Sequence, residues 1–246
     1  MSDWFKDWFA SEDYLNVYSH RNKDDARSLL RLILKNISIP QDAAILDSAC
    51  GMGRHSELLS KLGYNLTAFD LSKTLLQIAQ KNKELHNSSV NYICSDIRNI
   101  PLKKSFDVVL NLFTSFGYFK TNEENFAIVD FANKRVSNGG YFILDYLNPK
   151  YVEQNLINKS RQKIDKKIVV EERKIENGRV EKEIIISDDK FRHRYFESVQ
   201  LYSFQELLFV FQDFGFHSIK EYGNYKGELY DENSSERMII IFQKII

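Results

Sequence analysis

The chain has 246 residues, 43% of them hydrophobic, which is enough to bury one elaborated α/β core. Its 34 Lys and Arg are matched by 34 Asp and Glu, so no net field favours a polyanion or an anionic membrane as the default partner. The longest apolar runs, 207–211 and 238–242, fall far short of the roughly 20 residues that span a bilayer, and the charge-studded aromatic start lacks a signal peptide's apolar core, so a cytoplasmic protein is expected.

In chain order, residues 23–35 carry Ala26, Leu29, Leu30, Ile33 and Leu34 at helical spacing, so a helical lid segment is expected over 1–40. From 43 to about 148, short β-branched or aromatic runs alternate with amphipathic stretches. Strands are expected at 44–47, 65–69, 90–94, 106–110 and 141–145, with helices at 56–62, 72–82 and 123–136. This alternation is the pattern of a parallel sheet with helices on its faces. Ser72 and Asn122 can cap the second and third of these helices, and Gly139-Gly140 breaks the chain before the fifth strand.

The pattern changes after Pro149. Residues 164–186 alternate charged and β-branched side chains about Asn177-Gly178, a strong hairpin signal, so 151–200 reads as an antiparallel β insertion. A helix at 203–213 and strands at 217–224 and 237–245 then return to the main sheet. The expected division is 1–40, then 41–150 with 201–246, and 151–200 as the cover. Cys50 and Cys94 form no CxxC and the five histidines are scattered, so no metal is expected.

Chemistry concentrates at Ile45-Leu46-Asp47-Ser48-Ala49-Cys50-Gly51-Met52-Gly53-Arg54-His55-Ser56, which reads as strand, glycine-hinged loop and helix start. Asp47 ends the first strand, and Asp70 ends the second, where a carboxylate can accept from both hydroxyls of a ribose. Ser95-Asp96-Ile97 follows the third, offering an acceptor for an adenine amino group and an apolar wall. Asn111 ends the fourth. Each acid alone would also suit a cap or a turn, but their recurrence at successive strand ends points to one crevice. Cys50 reads as a small buried hydrophobe. In a dinucleotide fingerprint the third glycine would stand where Ser56 does. The acid before the loop is also awkward for a pyrophosphate and comfortable for a sulfonium with an ammonium.

These residues resemble the class I S-adenosylmethionine-dependent methyltransferases through Leu46-Asp47-x-x-Cys50-Gly51-x-Gly53, Asp70-Leu71-Ser72, Ser95-Asp96-Ile97 and Phe106-Asp107-x-x-Leu110-Asn111. The resemblance implies a Rossmann-like, doubly wound α/β fold. Its sheet would be seven-stranded and mostly parallel with an antiparallel last strand, plus the small antiparallel insertion. It implies S-adenosyl-L-methionine as cofactor, held by Asp47, Ala49, Cys50, Gly51, Gly53, Asp70, Leu71, Ser95, Asp96, Ile97 and Asn111. It also implies methyl transfer to an N or O atom of a small molecule. Met52 departs from the glycine or threonine usual between the loop glycines. More narrowly the chain is similar to a bacterial group of small-molecule-type methyltransferases. That likeness rests on Tyr18-x-His20-Arg21, Gly53-Arg54-His55, the run from Phe113 to Phe119, and Glu197-Ser198-Val199-x-Leu201-Tyr202.

A substrate pocket of Tyr14, Arg21, Arg54, Phe113, Phe116 and Tyr118 follows from it. Tyr18, His20 and His55 are then the candidate catalytic groups, since an amine or hydroxyl acceptor must lose a proton. Arg21 and Arg54 suit the cofactor carboxylate or an acidic substrate. The aromatic run leaves an RNA or tRNA base as an alternative acceptor, which the neutral charge balance disfavours. An NAD-type oxidoreductase is the remaining alternative.

Overall fold

The computed structural model describes residues 3–18 and 23–245, so the candidates His20 and Arg21 lie outside the described residues. The chain opens with α1 (Trp4–Ala10), α2 (Glu12–Val17) and α3 (Lys23–Asn36). It continues through β1 (Ala44–Ser48), α4 (Arg54–Lys61), β2 (Asn65–Asp70), α5 (Lys73–His86), β3 (Asn91–Cys94), β4 (Phe106–Asn111), α6 (Asn122–Arg135) and β5 (Val136–Leu147). After α7 (Pro149–Asn155) come β6 (Lys159–Ile164), β7 (Lys167–Glu176), β8 (Arg179–Ser187) and β9 (Arg192–Gln200). The chain closes with α8 (Phe204–Asp213), β10 (Phe216–Tyr222) and β11 (Arg237–Lys244).

The main sheet has seven strands in the order β3-β2-β1-β4-β5-β11-β10. Pairing is parallel from β3 to β5, and β11 runs antiparallel to both of its neighbours. The order reverses between β1 and β4. There the chain leaves the sheet in opposite directions and the strand ends part, which is where open α/β sheets take ligands.

Strand alternation divides the core. Leu46, Phe142 and Leu144 face one buried layer with Phe211 and Phe242, while Ile45, Ile143 and Ile241 face the other with Leu29, Ile33 and Leu59. β6–β9 form a separate four-stranded antiparallel sheet. Its central turn pairs Glu176 with Arg179, and Asn177 (φ 52°) and Gly178 (φ 70°) supply the two left-handed residues that a tight two-residue hairpin requires. Val169, Ile184 and Ile186 of this sheet bury Trp8 and Val17, so a third cluster fastens α1 and α2 to it.

Three local expectations shift. The cap of α6 is Thr121, whose hydroxyl accepts from the Glu124 N–H at 3.3 Å; Asn122 instead begins the helix, its Oδ1 accepting from the Tyr202 hydroxyl at 2.6 Å. α4 starts at Arg54, because Gly53 at φ 75° turns the loop straight into the helix. β5 begins before the Gly139-Gly140 pair: a Cβ on Gly140 would stand 2.7 Å from the Asp107 carbonyl, so the glycine lets the strand close on β4 across a register shift.

Candidate active site

A cavity of about 790 Å³ lies over the strand ends at the switch point. Its floor includes Asp47, Ala49, Cys50, Gly51, Asp70, Leu71, Ser95, Asp96 and Ile97, and Tyr14, Tyr18, Arg54, His55, Phe113 and Tyr118 also line it. α1 forms the roof through Trp4, Phe5 and Phe9. The strand-end positions read from the sequence therefore converge, with three exceptions.

Gly53 does not line the cavity. Its φ of 75° and the Tyr92 hydroxyl, 2.1 Å from where a Cβ would stand, account for it instead. Asn111 is fully buried beneath the wall, its Nδ2 donating to the Ser48 hydroxyl at 3.0 Å and to the Ser115 carbonyl at 3.3 Å. Phe116 turns away into the core against Phe126, Tyr146 and Tyr202. The contacts of Asn111 and Phe116 thus shape the cavity from behind.

The loop's polar groups are largely consumed within the fold. Asp70 accepts the Gly51 N–H with one oxygen and the Ser72 N–H with the other, each at 2.8 Å, and each oxygen keeps a lone pair for a hydroxyl. Cys50 N–H bonds the Phe69 carbonyl, and Gly53 N–H the Cys50 carbonyl. Asp47 accepts from the Ser56 hydroxyl at 2.5 Å and from backbone at the same residue, so a buried carboxylate already occupies the start of α4. A pyrophosphate would meet that charge, whereas a cation-bearing nucleoside would not.

Burial raises Asp47 to about 6, partly opposed by Ser56 and Arg54, and burial likewise raises Asp70 against its backbone donors. Burial would also raise Asp96, but the Arg98 guanidinium grips both its oxygens, at 3.0 and 2.7 Å, and holds it below the usual range. His55 is pushed down to about 3 by burial and by the Arg54 charge, and its Nε2 has no hydrogen-bond partner among the described residues. Such an imidazole stays neutral and is a feeble proton acceptor. It suits donating or accepting a single hydrogen bond to a ligand better than general-base work.

Tyr18 is differently placed. Its hydroxyl donates to Glu197 Oε1 at 2.7 Å and accepts from the Lys182 ammonium, while Lys182 also pairs with Glu197 Oε2 at 2.6 Å. The Trp8 indole N–H donates to Glu197 Oε1 at 2.6 Å. Burial would raise Glu197, yet Lys182, Tyr18 and Trp8 together hold it below the ordinary carboxylate range. Lys182 escaped the sequence reading altogether and Glu197 entered it only as part of a run. The signal for Glu197 lay in alternation, since it shares its strand face with the inward Tyr195 and Val199.

Also unforeseen is the support behind Phe113. Asp145, wholly buried, accepts the Phe113 N–H at 3.0 Å, the Tyr225 hydroxyl at 2.9 Å and the Arg237 Nε at 2.7 Å. These bonds pin Phe113 and Thr114 at φ 60° and 62°, a conformation that costs a β-branched residue on the order of 1–3 kcal/mol. Arg179 donates to the carbonyls of Gly117, Tyr118 and Phe119, tying the same loop to the small sheet.

With this geometry in view, the comparisons with known proteins are specific. Residues 45–140 match the family described as a methyltransferase domain. Over these residues the chain carries the sequence pattern of a methyltransferase domain. The domain is 33% identical over 96 residues to a malonyl-[acyl-carrier protein] O-methyltransferase of Bacillus cereus, covering 38% of this chain and 35% of that one. The likeness to a dTDP-3-amino-3,4,6-trideoxy-alpha-D-glucopyranose N,N-dimethyltransferase of Streptomyces venezuelae is 30% over 138 residues, 54% of this chain and 56% of that one. The matches thus span about a third to just over half of these curated relatives. For the fold, a S-adenosylmethionine-dependent methyltransferase from Clostridium acetobutylicum superposes on 95% of this chain and 98% of its own, with a TM-score of 0.81 at 19% identity. The methyltransferase fold therefore extends beyond the matched domain to both sheets. Among the described residues no helix is long and apolar enough to cross a membrane, and no group of three metal-ligating side chains is gathered.

Proposed function

We propose that the chain is an S-adenosyl-L-methionine-dependent methyltransferase acting on an N or O atom of a small molecule. The observation that carries this reading is the row of carboxylates, Asp47, Asp70 and Asp96, along one cavity beside a loop in which the N–H groups of Cys50, Gly51, Gly53 and Ser56 are bonded within the fold. That arrangement favours a nucleoside bearing positive charge over a dinucleotide. The activities of the Bacillus and Streptomyces relatives, an O- and an N-methyltransferase, support the same class of reaction.

In this reading Asp70 holds the ribose hydroxyls, Ser95 to Ile97 flank the adenine, and Gly51 lets backbone approach the ligand. The cofactor supplies a methyl group on a sulfonium. The chain aligns the acceptor with that methyl and excludes water beneath α1, since an in-line displacement gains most from orientation. Tyr18, its hydroxyl fixed by Glu197 and Lys182 at the cavity wall, is the candidate catalytic group that would hydrogen-bond and orient the acceptor's N or O atom. Residues 41–150 with 201–246 are the catalytic body and 151–200 its cover.

Calorimetry with S-adenosylhomocysteine and with NAD tests the reading. Binding of the former alone is expected, and Asp70→Ala should weaken it by about 1–3 kcal/mol through the unpaired hydroxyls. Binding of NAD in its place would overturn the proposal.

A further inference from the structure

Charge is distributed unevenly around the cavity. Beside the glycine loop Asp47, Asp70 and Asp96 line the cavity with Arg54 and Lys73, and Lys6 stands on the roof, whereas the opposite wall, built from the small sheet and β11, presents Arg173, Lys182 and Arg237 against Glu197 alone. The carboxylates that balance the two arginines stand behind them. Asp145 is fully buried, Glu171 is 7% exposed, and neither lines the cavity.

Lys182 is committed to Glu197, but Arg237 is only half used. Its Nε donates to Asp145 at 2.7 Å, its Nη2 reaches the same oxygen at 2.7 Å and the Thr114 hydroxyl at 3.0 Å, and its Nη1 makes no bond among the described residues. Arg54 joins it from the other side: the two guanidinium carbons lie 4.2 Å (Arg54) and 5.7 Å (Arg237) from the centroid of the same Phe113 ring. An aromatic face restrains each planar cation, and the remaining arm of the Arg237 fork can donate to a planar anion without breaking a bond to the protein.

We infer that this wall seats an anionic group of the methyl acceptor, a phosphate or a carboxylate, with Arg237 as its principal donor. The inference deepens the proposed function and rests on it for assigning the opposite half of the cavity to the cofactor. An anionic acceptor would lie with its charge on Arg237 beside Phe113 and its nucleophile turned toward the carboxylate-lined half.

The test is calorimetry at constant ionic strength on protein saturated with S-adenosylhomocysteine, titrated with inorganic pyrophosphate, malonate or uncharged glycerol. Saturation fills whatever seat the cofactor's own carboxylate uses, so remaining heat reports the acceptor side. Pyrophosphate or malonate should bind and glycerol should not, and the stronger of the two anions tells phosphate from carboxylate. Arg237→Lys keeps a cation against Asp145. It should weaken the anion about ten-fold or more while leaving S-adenosylhomocysteine affinity within about two-fold. Thr114→Ala removes only the hydroxyl that fixes Nη2 and should weaken the anion by a smaller factor, which guards against a folding defect in the first variant. Failure of both anions to bind, or equal binding to wild type and Arg237→Lys, overturns the inference. If S-adenosylhomocysteine itself does not bind, the cofactor reading falls, and the same titrations on the free protein still decide the anion seat.

Discussion

Asp47 and His55 are both buried at the glycine loop, and burial drives their ionisation in opposite senses with respect to stability. His55, lowered from 6.5 to about 3, leaves the unfolded chain binding the extra proton, so its contribution is present above 6.5 and is lost as pH falls toward 3. Asp47, raised from 3.8 to about 6, contributes below 3.8 and loses that contribution as pH rises through 6. Across their shared window the two slopes oppose. Urea unfolding of the cofactor-free protein at several pH values should therefore resolve the two slopes as differences between each variant and wild type, against the common acid loss from Asp13, Asp96 and Glu197. His55→Asn should become less stable as pH rises from about 4 to 6, and Asp47→Asn should lose stability more steeply on acidification below 6.5. Each slope amounts to a few kcal/mol at most, at about 1.4 kcal/mol per pKa unit. Identical profiles in all three proteins would remove the assignment. Gly53 supplies a second prediction at this scale. Gly53→Ala should cost more than about 1 kcal/mol, from the left-handed backbone plus the crowding by Tyr92, and Tyr92→Phe in the same chain should recover only the part due to the hydroxyl, because the ring carbons still stand 2.8 and 3.0 Å from the new Cβ, read by denaturant midpoint.

At the scale of elements, the sequence disclosed strands and helices well where one period held, and failed where none did. The loop from Leu112 to Phe119 contains left-handed residues at Phe113, Thr114 and Gly117, so no alternation sorts its rings. Phe113 and Tyr118 turn to the cavity and Phe116 to the core, a division set by Asp145 and Arg179 from distant strands. Asn111 was misplaced for a related reason. It is the last paired residue of β4, opposite Ser48, and it is fully buried there, its Nδ2 donating to Ser48 and to the Ser115 carbonyl while its Oδ1 has no partner among the described residues. The Lys182–Glu197 contact was hidden because it needs the β8/β9 register, in which these two residues are direct cross-strand partners. Local capping was more legible in form than in position, as Thr121 displacing Asn122 illustrates. α8 provides a clean measurement: Ser203 and Glu206 form a reciprocal capping box, so Ser203→Ala should lower stability by about 1 kcal/mol without altering ligand affinity.

For the whole molecule, function depends on a roof fastened at three points. Asp13 of α2 accepts from Lys167 at 2.6 Å, His193 at 2.8 Å and Tyr195 at 3.0 Å on the small sheet. Trp8 reaches Glu197, and the Ser72 and Thr74 hydroxyls donate to the Phe9 and Ala10 carbonyls beside Asp70. A helical start and a β insertion were foreseeable from periodicity, but their mutual attachment was not, since it joins residues more than 150 positions apart. Asp13→Asn weakens one fastening and leaves the cavity lining intact. Release of S-adenosylhomocysteine, followed by stopped flow, should accelerate roughly ten-fold, as expected for losing a charge-assisted bond of about 1.4 kcal/mol. An unchanged release rate would mean that the roof does not gate the ligand.

The composition of that roof gives the molecule a reporter of its own. The chain has two tryptophans, Trp4 and Trp8, and both belong to α1. One indole N–H is bonded to Glu197, and the other is buried without a partner among the described residues, its ring edge-on to Tyr118. Intrinsic emission excited at the red edge of protein absorbance therefore originates entirely from this single short helix. A shift in its colour on adding a ligand therefore reports contact with this helix or its movement, with no label required.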